Sequence, residues 1–347
     1  MSEFEWSDVL TRLLAGDDLS EDESAAVMSA VMSGEAAEGQ IGALLVALQA
    51  KGESGDEVAG FVRAMLAAAE PIAIDAGVAD RLVDVVGTGG DRAGTFNIST
   101  IASVVVAAAG SPVAKHGNRA ASSRCGSADL IEAWGVVIDA PIDVVAHTIE
   151  EVGIGFLFAR TFHPSMRVVG PVRQQIGIPT TFNILGPLSN PAGAPHQAVG
   201  VASERLAPVM AEALRRLGRR RALVFRGRDG LDELTTTDVN DVWEVRDGKV
   251  SVSTIDARDL GIARATRADL LGGDVDDNLA IADEVLRGVT GPRADVVALN
   301  AAAGLYVAGA VDDLGAGVEL ARRVLADGAG RDLRDRWVAR TRELVRS

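Results

Sequence analysis

The N-terminal part of the chain repeats apolar residues at the spacing of amphipathic helices. Residues 58–69 place apolar side chains three and four positions apart, which is the period of one helix face. Ser20 and Glu23 have the spacing of a capping box, directly before the apolar run 25–32. Pro71 ends this pattern because proline cannot continue a helix. We predict a small all-helical domain over residues 1–72.

After residue 80, short runs of β-branched residues alternate with helical stretches rich in alanine and leucine. Strands joined by helices in this way form a mostly parallel sheet with helices on both faces. We therefore predict an α/β fold class, in which a large α/β domain over residues 78–347 follows the helical domain. The predicted strands are 82–86, 113–114, 155–158, 198–201 and 222–225, and the predicted helices are 98–109, 128–134, 144–152 and 205–217.

Two further β-branched runs, 242–245 and 250–253, flank a tight-turn signal. Asp247 and Gly248 form a pair that suits a two-residue hairpin turn, in which both positions have positive φ. We predict an antiparallel hairpin at the edge of the sheet. From residue 276 to the end, the pattern indicates a largely helical segment.

The charge balance narrows the classes of partner. The 347 residues include 34 Lys and Arg against 49 Asp and Glu, a formal net charge of -15 at pH 7. Nucleic acids and anionic membranes are held mainly by Lys and Arg, so we expect neither as a partner. The single cysteine, Cys125, excludes an internal disulfide and suits a reducing cytoplasm, where we expect the protein. No secretory signal pattern and no membrane-length apolar run is present.

A glycine-rich loop follows the first predicted strand. VGTGGDRAGTFNIST, from Val86 to Thr100, leads from a strand into a helix, which is where doubly wound sheets bind ligands. Arg92 stands where the dinucleotide motif needs its third glycine, and no Gly-Lys-Ser/Thr completes a P-loop. The helix N-terminus still offers N–H donors to an anion. Asp91 would repel phosphate here unless a metal ion or a ribose hydroxyl lies between them.

A second polar loop, KHGNRAASSRCGSAD, follows the next predicted strand. It runs from Lys115 to Asp129 and is broken by glycines. Any one of its polar residues alone would be a solvated surface group, but the dense set of donors suits a polyanion. These donors are Lys115, Asn118, Arg119, Ser122, Ser123, Arg124 and Ser127.

Adjacent carboxylates, Asp232 and Glu233, follow the predicted strand 222–225 in the segment GLDEL. Such a pair at the carboxyl end of a strand can hold Mg²⁺, which prefers oxygen ligands and is often shared with substrate phosphates. An Asp-Glu pair alone is more often a solvated turn. Its position on the same sheet edge as the two donor loops favours a metal site, and Mg²⁺ is the cofactor that we predict.

The segment HPSMRVVGPVR, from His163 to Arg173, has the pattern of a helix interrupted by Pro171. The planar donors of Arg173 fit a carboxylate well, while a surface ion pair is the alternative for a single arginine. We expect helices from about residues 163–185 to join the N-terminal helical domain.

Taken in order, these segments resemble the motifs of the anthranilate phosphoribosyltransferase family of tryptophan biosynthesis. The resemblance rests on VDVVGTGGDRAGTFNIST, KHGNRAASSRCGSADLIEAWG, GIGFLFARTFHPSMRVVGPVRQQIGIPTTFNILGPLSNP and GLDEL. It implies transfer of the phosphoribosyl group of 5-phosphoribosyl 1-pyrophosphate (PRPP) to the amino group of anthranilate, with release of pyrophosphate. It also implies bound Mg²⁺ and a homodimer formed through the helical domain.

The resemblance assigns roles to residues that match these motifs. Lys115 would stabilise the leaving pyrophosphate, and His116 is the nearest candidate for a base. The Mg²⁺ positions are Ser99, Asp232 and Glu233, and the anthranilate positions are Gly87, Asn118, His163, Arg173 and Pro187. The PRPP positions are Gly87, Gly90, Asp91, Thr95, Asn97, Ile98, Ser99, Thr100, Lys115, His116, Gly117, Asn118, Arg119, Ala120, Ala121, Ser122, Ser123 and Ser127.

Two alternatives stay open beside this interpretation. A pyrimidine-nucleoside phosphorylase also cleaves a bond at ribose C1, but its phosphate and base motifs differ from KHGNR and GTGGD. A non-catalytic relative that binds nucleic acid needs a basic groove, which the net charge opposes. The chain also departs from the family at Arg124-Cys125, where a Lys-Ser pair is common, so Arg124 keeps the charge without the compact ammonium.

Overall fold

The computed structural model describes residues 4–120 and 124–346, which begin with a bundle of four helices. The helix α2 carries the predicted capping box, because the Glu23 N–H donates to Ser20 Oγ at 3.3 Å and the Ser20 N–H donates to the Glu23 carboxylate at 2.8 Å. A Cβ at Gly60 of α4 would lie 2.2 Å from the Glu21 carbonyl, so α2 and α4 cross at a separation that only glycine allows. The four helices are α1 (Trp6–Ala15), α2 (Glu21–Met32), α3 (Glu38–Lys51) and α4 (Gly55–Ala67).

A seven-stranded sheet follows, with the strand order β3-β2-β1-β4-β5-β6-β7. The first five strands in this order are parallel and the last two are antiparallel, which confirms the predicted parallel sheet and edge hairpin. Asp247 and Gly248 form the hairpin turn with φ of 51° and 70°. The strands are β1 (Val83–Gly87), β2 (Val113–Gly117), β3 (Ile154–Phe158), β4 (His196–Gly200), β5 (Arg221–Gly227), β6 (Val239–Arg246) and β7 (Lys249–Asp256).

Helices connect the strands and form the C-terminal segment, as the apolar spacing predicts. In order they are α5 (Ala76–Ala79), α6 (Ile98–Ala108), α7 (Ser127–Trp134), α8 (Ile142–Val152), α9 (Ala159–Phe162), α10 (Gly170–Ile176), α11 (Phe182–Leu188), α12 (Leu206–Arg216), α13 (Val275–Leu286), α14 (Pro292–Val307), α15 (Leu314–Ala326) and α16 (Ala329–Arg346). Short 3₁₀ helices cover Pro164–Val168, Ala257–Leu260 and Arg267–Leu270.

The predicted single helix interrupted by Pro171 is wrong in detail. A 3₁₀ helix spans Pro164–Val168, and Pro171 lies in the first turn of α10. Proline is tolerated there because the first N–H groups of a helix have no intrahelical partner. Pro171 therefore helps to begin a helix instead of breaking one.

Two large apolar cores cover the two faces of the sheet, and a smaller cluster joins α8 to Leu82, Ala114 and Leu157. One core joins α6 and α13–α16 to the face that carries Val83 and Val85. The other joins α1–α4, α10, α11 and α12 to the face that carries Val86 and Val199. The division into domains at residues 72 and 78 stays a prediction. Within the described ranges, no helix is both long and apolar enough to cross a membrane.

Candidate active site

The glycine loop leaves β1 at the carboxyl edge of the sheet and turns repeatedly through left-handed backbone. Thr88 N–H donates to the Gly200 carbonyl at 2.9 Å, which holds the start of the loop on β4. Phe96 N–H donates to the Leu270 carbonyl at 3.2 Å and holds its end. Arg92 is the one left-handed residue of this loop with a side chain. The left-handed residues of the loop are Gly89 (66°), Gly90 (83°), Arg92 (55°) and Gly94 (67°).

Asp232 and Glu233 lie between β5 and β6, directly against this loop. Gly89 N–H donates to Asp232 Oδ2 at 2.6 Å, and Ser99 N–H in the first turn of α6 donates to Glu233 Oε1 at 3.2 Å. A Cβ at Gly200 would lie 1.7 Å from the Asp232 carbonyl oxygen. The backbone that carries the two carboxylates therefore crosses β4 at a position where only glycine fits. The structure therefore brings together the two motifs that the sequence placed on the same sheet edge.

The carboxylates at this point repel one another. Burial and, after it, the charge of the Asp91 carboxylate raise the pKa of Asp232 to about 7. Burial and the Asp232 charge also raise the pKa of Glu233 well above its usual value. The Oδ1 of Asp91 accepts from Ala93 N–H at 3.1 Å, while its buried Oδ2 has no partner among the described residues. A bound cation would stabilise the ionised form of all three groups.

Lys115 brings a buried positive charge to the same region from β2. Its side chain is 2% exposed, and Nζ donates to the Val85 carbonyl at 2.7 Å. Burial lowers the pKa of Lys115, and the negative charges of Asp84 and Glu233 oppose that change. The ammonium is thus held by the central strand instead of by a surface ion pair.

The first turn of α6 contributes polar groups and one core residue. Asn97 Nδ2 donates to the Cys125 carbonyl at 3.1 Å, which links the two donor loops. Thr95 forms an isolated β-bridge with Leu271. The predicted PRPP residue Ile98 is fully buried in the apolar core, so its side chain does not face a ligand. Thr100 is also buried, and its hydroxyl has no partner in the described part of the chain.

The second donor loop is organised by Asp129 of α7. Its Oδ2 accepts from Ala120 N–H at 3.1 Å and from Gly126 N–H at 2.9 Å. Ser127 Oγ donates to the Asn118 carbonyl at 3.2 Å. A Cβ at Gly117 would lie 2.3 Å from Ser127 Oγ, so the loop closes tightly on the end of β2. The predicted residues Ala121, Ser122 and Ser123 lie outside the described residues.

Arg119 and Arg124 have partners inside the protein. Arg119 Nη1 donates to Asp129 at 2.9 Å, and both terminal nitrogens fork onto the Glu132 carboxylate at 2.7 and 2.9 Å. Its guanidinium also lies 5.9 Å from the centre of the Phe158 ring. Arg124 is 71% exposed and pairs with Asp274 at 3.4 Å. Both arginines therefore form ion pairs with carboxylates of this chain.

A cavity of about 700 Å³ opens beside the donor loops, between the helical bundle and the sheet. It brings together all five predicted anthranilate residues, which are Gly87, Asn118, His163, Arg173 and Pro187. The sequence analysis did not predict other lining residues, because neither an apolar position nor a single arginine carries a local signal that it faces a cavity. These residues include Met65, Val86, Arg160, Met166, Arg167 and Phe182.

The two histidines of the cavity are neutral at physiological pH. Their ring centres lie 5.3 Å apart. Burial and, after it, the neighbouring His163 and Lys115 lower the pKa of His116 to about 3. Burial also lowers the pKa of His163, whose Nε2 hydrogen-bonds the Ser189 carbonyl at 2.9 Å. Since a carbonyl only accepts, His163 carries its proton on Nε2.

Arg173 presents a charge to this cavity. Its Nη2 donates to Asn183 Oδ1 at 3.3 Å, and its guanidinium lies 5.6 Å from the centre of the Phe182 ring. Burial lowers the pKa of Arg173, and no carboxylate in residues 4–120 or 124–346 forms an ion pair with it. An arginine without an internal counter-ion in a cavity suits an anionic ligand.

Asn300 of α14 positions the carboxylate loop, and the sequence reading missed it. Its Oδ1 accepts from Leu234 N–H at 3.0 Å, and its Nδ2 donates to the Leu234 carbonyl at 2.9 Å. The residue is fully buried. An asparagine inside a predicted helix gives no sign of this role, because the partner is 66 residues away in the chain.

Comparison with known families matches nearly the whole chain. Residues 7–69 match the helical bundle domain of a glycosyl transferase family, and residues 79–331 match the a/b domain of a glycosyl transferase family. An anthranilate phosphoribosyltransferase of an Arthrobacter species is 49% identical over 343 residues, which cover 97% of this chain and 96% of the relative. One from Acidothermus cellulolyticus is 52% identical over 339 residues, covering 96% and 94%.

Solved structures give the same result. The crystal structure of an anthranilate phosphoribosyltransferase from Thermus thermophilus superposes with a TM-score of 0.91 at 48% identity, and the match covers 96% of this chain and 99% of that one. The enzyme from Saccharomyces cerevisiae, solved in complex with PRPP and Mg, has a TM-score of 0.88 at 24% identity, covering 97% and 98%. The second likeness shows the fold alone.

Proposed function

The chain belongs to the anthranilate phosphoribosyltransferase family and transfers a phosphoribosyl group to anthranilate, and we propose that it does so with PRPP on the donor loops and anthranilate in the adjoining cavity. Gly87 supports this arrangement because it belongs to both places, as the last residue of β1 and as part of the cavity wall. Two substrates that meet there would react as neighbours, which lowers the entropic cost of the transfer.

Asp232, Glu233 and Ser99 would hold Mg²⁺ together with oxygens of PRPP. The group fits a hard cation, since all its donors are oxygens and the raised pKa values of Asp232 and Glu233 reflect negative charge that a cation would balance. No set of three or more His, Cys, Asp or Glu side chains in the described chain is arranged to hold a metal by itself. Substrate oxygens would therefore complete the coordination, and bound Mg²⁺ would stabilise negative charge on the leaving pyrophosphate.

Lys115 and the N-terminus of α6 would stabilise the leaving group from the protein side. The Lys115 ammonium is buried and fixed by the Val85 carbonyl, so it would not have to be desolvated or reoriented during the reaction. The first turn of α6 would add the positive end of the helix dipole, although Ile98 N–H and Ser99 N–H already donate to Phe96 and Glu233. The donor loops would thus supply charge at the place where negative charge develops.

Arg173 and Asn118 would hold the acceptor. The Arg173 guanidinium has no internal counter-ion among the described residues, and the carboxylate of anthranilate is a matching anion. An aromatic amine is largely unprotonated at neutral pH, so the transfer needs no strong base. His116 is neutral, and its buried Nε2 has no partner in the described ranges, which leaves a lone pair as a weak proton acceptor.

The observation that carries this proposal is the contact of the carboxylate pair with the glycine loop, through the hydrogen bond from Gly89 to Asp232. Its test follows the loss of anthranilate fluorescence with PRPP, with Mg²⁺ and with excess EDTA. We expect Mg²⁺-dependent loss that Asp232→Ala/Glu233→Ala abolishes. Asp312→Ala/Glu319→Ala, which removes two exposed carboxylates elsewhere, serves as the control. Metal-independent transfer by the first double variant would overturn the metal assignment.

We infer the assembly and the location of the protein from its family. A homodimer through the helical bundle is supported by Leu14 and Val46 on α1 and α3, whose apolar side chains are 76% and 48% exposed. Light scattering of Leu14→Glu/Val46→Glu should give the mass of one chain where the unsubstituted protein gives two. A cytoplasmic location is the expected one for an enzyme that uses PRPP and free anthranilate.

A further inference from the structure

Buried polar side chains of neighbouring elements bind one segment at the acceptor cavity, whose residues Gly186 and Pro187 line the cavity. We call residues 186–190, which include Pro187, the acceptor wall. His163 Nε2 donates to the Ser189 carbonyl at 2.9 Å, and the His116 ring lies 5.3 Å from the His163 ring. Gln197 Nε2 donates to the Pro187 carbonyl at 3.3 Å. The two histidines line the cavity themselves, but Gln197 does not.

The end of α11 leaves carbonyls available to side-chain donors. The helix ends at Leu188, so its last carbonyls have no N–H partner four residues later in the helix. Pro187 weakens the same turn, because proline has no N–H to donate to the Asn183 carbonyl. Side chains of neighbouring elements therefore hold the acceptor wall in place.

Burial of the Gln197 side-chain amide is energetically unfavourable. Gln197 is the second residue of β4 and is fully buried, where an apolar side chain would need no hydrogen-bond partner. Its Oε1 has no hydrogen-bond partner in the described part of the chain, so the amide is only partly satisfied. The one contact that it gains is the bond to the Pro187 carbonyl.

Asn190 fixes the other end of the acceptor wall. It is fully buried, its Nδ2 donates to the Ala114 carbonyl at 2.8 Å, and its Oδ1 accepts from Ala192 N–H at 3.0 Å. Ala114 precedes Lys115 on β2, so this bond sets the distance between the acceptor wall and the strand that carries the buried ammonium.

We propose that Gln197 and Asn190 are positioning residues for the acceptor, which fix the acceptor wall against β4 and β2 without touching either substrate. This proposal rests on the proposed function of the cavity as the anthranilate site. Loss of either bond lets the acceptor wall move away from the sheet and loosens the acceptor subsite. The donor loops are bound by other residues and keep their geometry.

The test measures kcat and the KM of each substrate for the full-length protein. Gln197→Met keeps the length of the side chain and removes the donor to Pro187. We expect the KM for anthranilate to rise roughly three- to tenfold, which is the size of effect expected from the loss of one hydrogen bond. The KM for PRPP and kcat should stay within about twofold of the unsubstituted values. Asn190→Ser, which removes the donor to Ala114, should raise the same KM.

Thr341→Val is the matched control, since it removes a buried hydroxyl that donates to the Trp337 carbonyl within α16. It should lower the melting temperature and leave both KM values unchanged. An unchanged KM for anthranilate, or an equal rise for both substrates, would overturn the positioning role. If Gln197→Met does not fold, Asn190→Ser decides alone. Absence of transfer by the unsubstituted protein would instead overturn the function of the cavity.

Discussion

The Asp232 carboxylate accepts a hydrogen bond of 2.6 Å from the Gly89 N–H, although 143 residues separate the two in sequence. Phosphate loops normally keep such N–H groups for the ligand. Here one donor is occupied by a carboxylate whose own pKa is raised to about 7 by burial and by Asp91. The loop therefore combines backbone donors with concentrated negative charge, a combination that suits a ligand arriving with a divalent cation.

We expect Mg²⁺ to bind more weakly as the pH falls. The pKa of Asp232 lies above its usual value of 3.8, so below about pH 7 the group holds a proton that the metal must displace. The half-saturating Mg²⁺ concentration should rise by up to tenfold between about pH 8 and about pH 6. Fluorescence assays at saturating PRPP measure it, and Asp232→Asn should lose most of the dependence. A flat profile in the unsubstituted protein would contradict the metal assignment.

Arg92→Gly should stabilise the protein and weaken PRPP binding at the same time. Arg92 has a φ of 55°, a left-handed conformation that costs a residue with a side chain about 1 kcal/mol. Glycine removes that cost, so we expect a gain of about 0.5–1 kcal/mol in the free energy of unfolding, while the lost charge raises the KM for PRPP.

Arg92→Ala is the control for Arg92→Gly, because it removes the charge and keeps the strained backbone. It should raise the KM for PRPP without any gain in stability. Thermal unfolding and steady-state kinetics separate the two effects. Equal stability of the two variants would show that the backbone at residue 92 carries no strain.

Gly200→Ala should damage the carboxylate loop. The added Cβ would lie 1.7 Å from the Asp232 carbonyl oxygen, so Asp232 and Glu233 must shift. We expect kcat to fall by at least about tenfold and the free energy of unfolding to fall by about 1–3 kcal/mol. Gly39→Ala in α3 is the matched control, since its Cβ would meet no atom within 4 Å and alanine favours a helix. A fully active Gly200→Ala variant would contradict the loop geometry.

Arg173→Lys should weaken anthranilate binding selectively. Lysine keeps the charge but loses the planar fork that matches a carboxylate. We expect the KM for anthranilate to rise roughly tenfold or more, the scale of a lost charge-assisted hydrogen bond, with the KM for PRPP unchanged. Arg63→Lys, on an exposed ion pair of the helical bundle, is the control and should change neither value. Equal KM values for Arg173→Lys and the unsubstituted protein would place the carboxylate elsewhere.

The strands and most helices follow from the sequence, because their signals are local. The runs of β-branched residues predicted β1, β3, β4 and β5 to within two residues or so at each end, and the Asp247-Gly248 pair predicted the hairpin turn. The carboxyl ends of parallel strands meet at one edge, and that rule alone placed the two donor loops beside Asp232 and Glu233.

The group that each polar side chain contacts does not follow from the sequence. Arg119 stays a predicted PRPP residue, and the sequence does not show that its guanidinium pairs with Asp129 and Glu132, which lie three residues apart on α7. Gln197 and Asn300 look like ordinary polar residues within a strand and a helix, and only the packing of distant segments shows what they hold. Such pairings depend on tertiary distances, which no local pattern encodes.

The core that joins α1–α4 to α10, α11 and α12 has a consequence for synthesis on the ribosome. The helices α1–α4 are complete at Ala67, but the residues that cover them extend to Leu214 of α12. At a translation rate of roughly 5–20 residues per second, the apolar face of the nascent bundle stays uncovered for on the order of ten seconds until α12 is synthesised. During that interval it is a substrate for chaperones, and we expect truncated chains that end before α12 to aggregate.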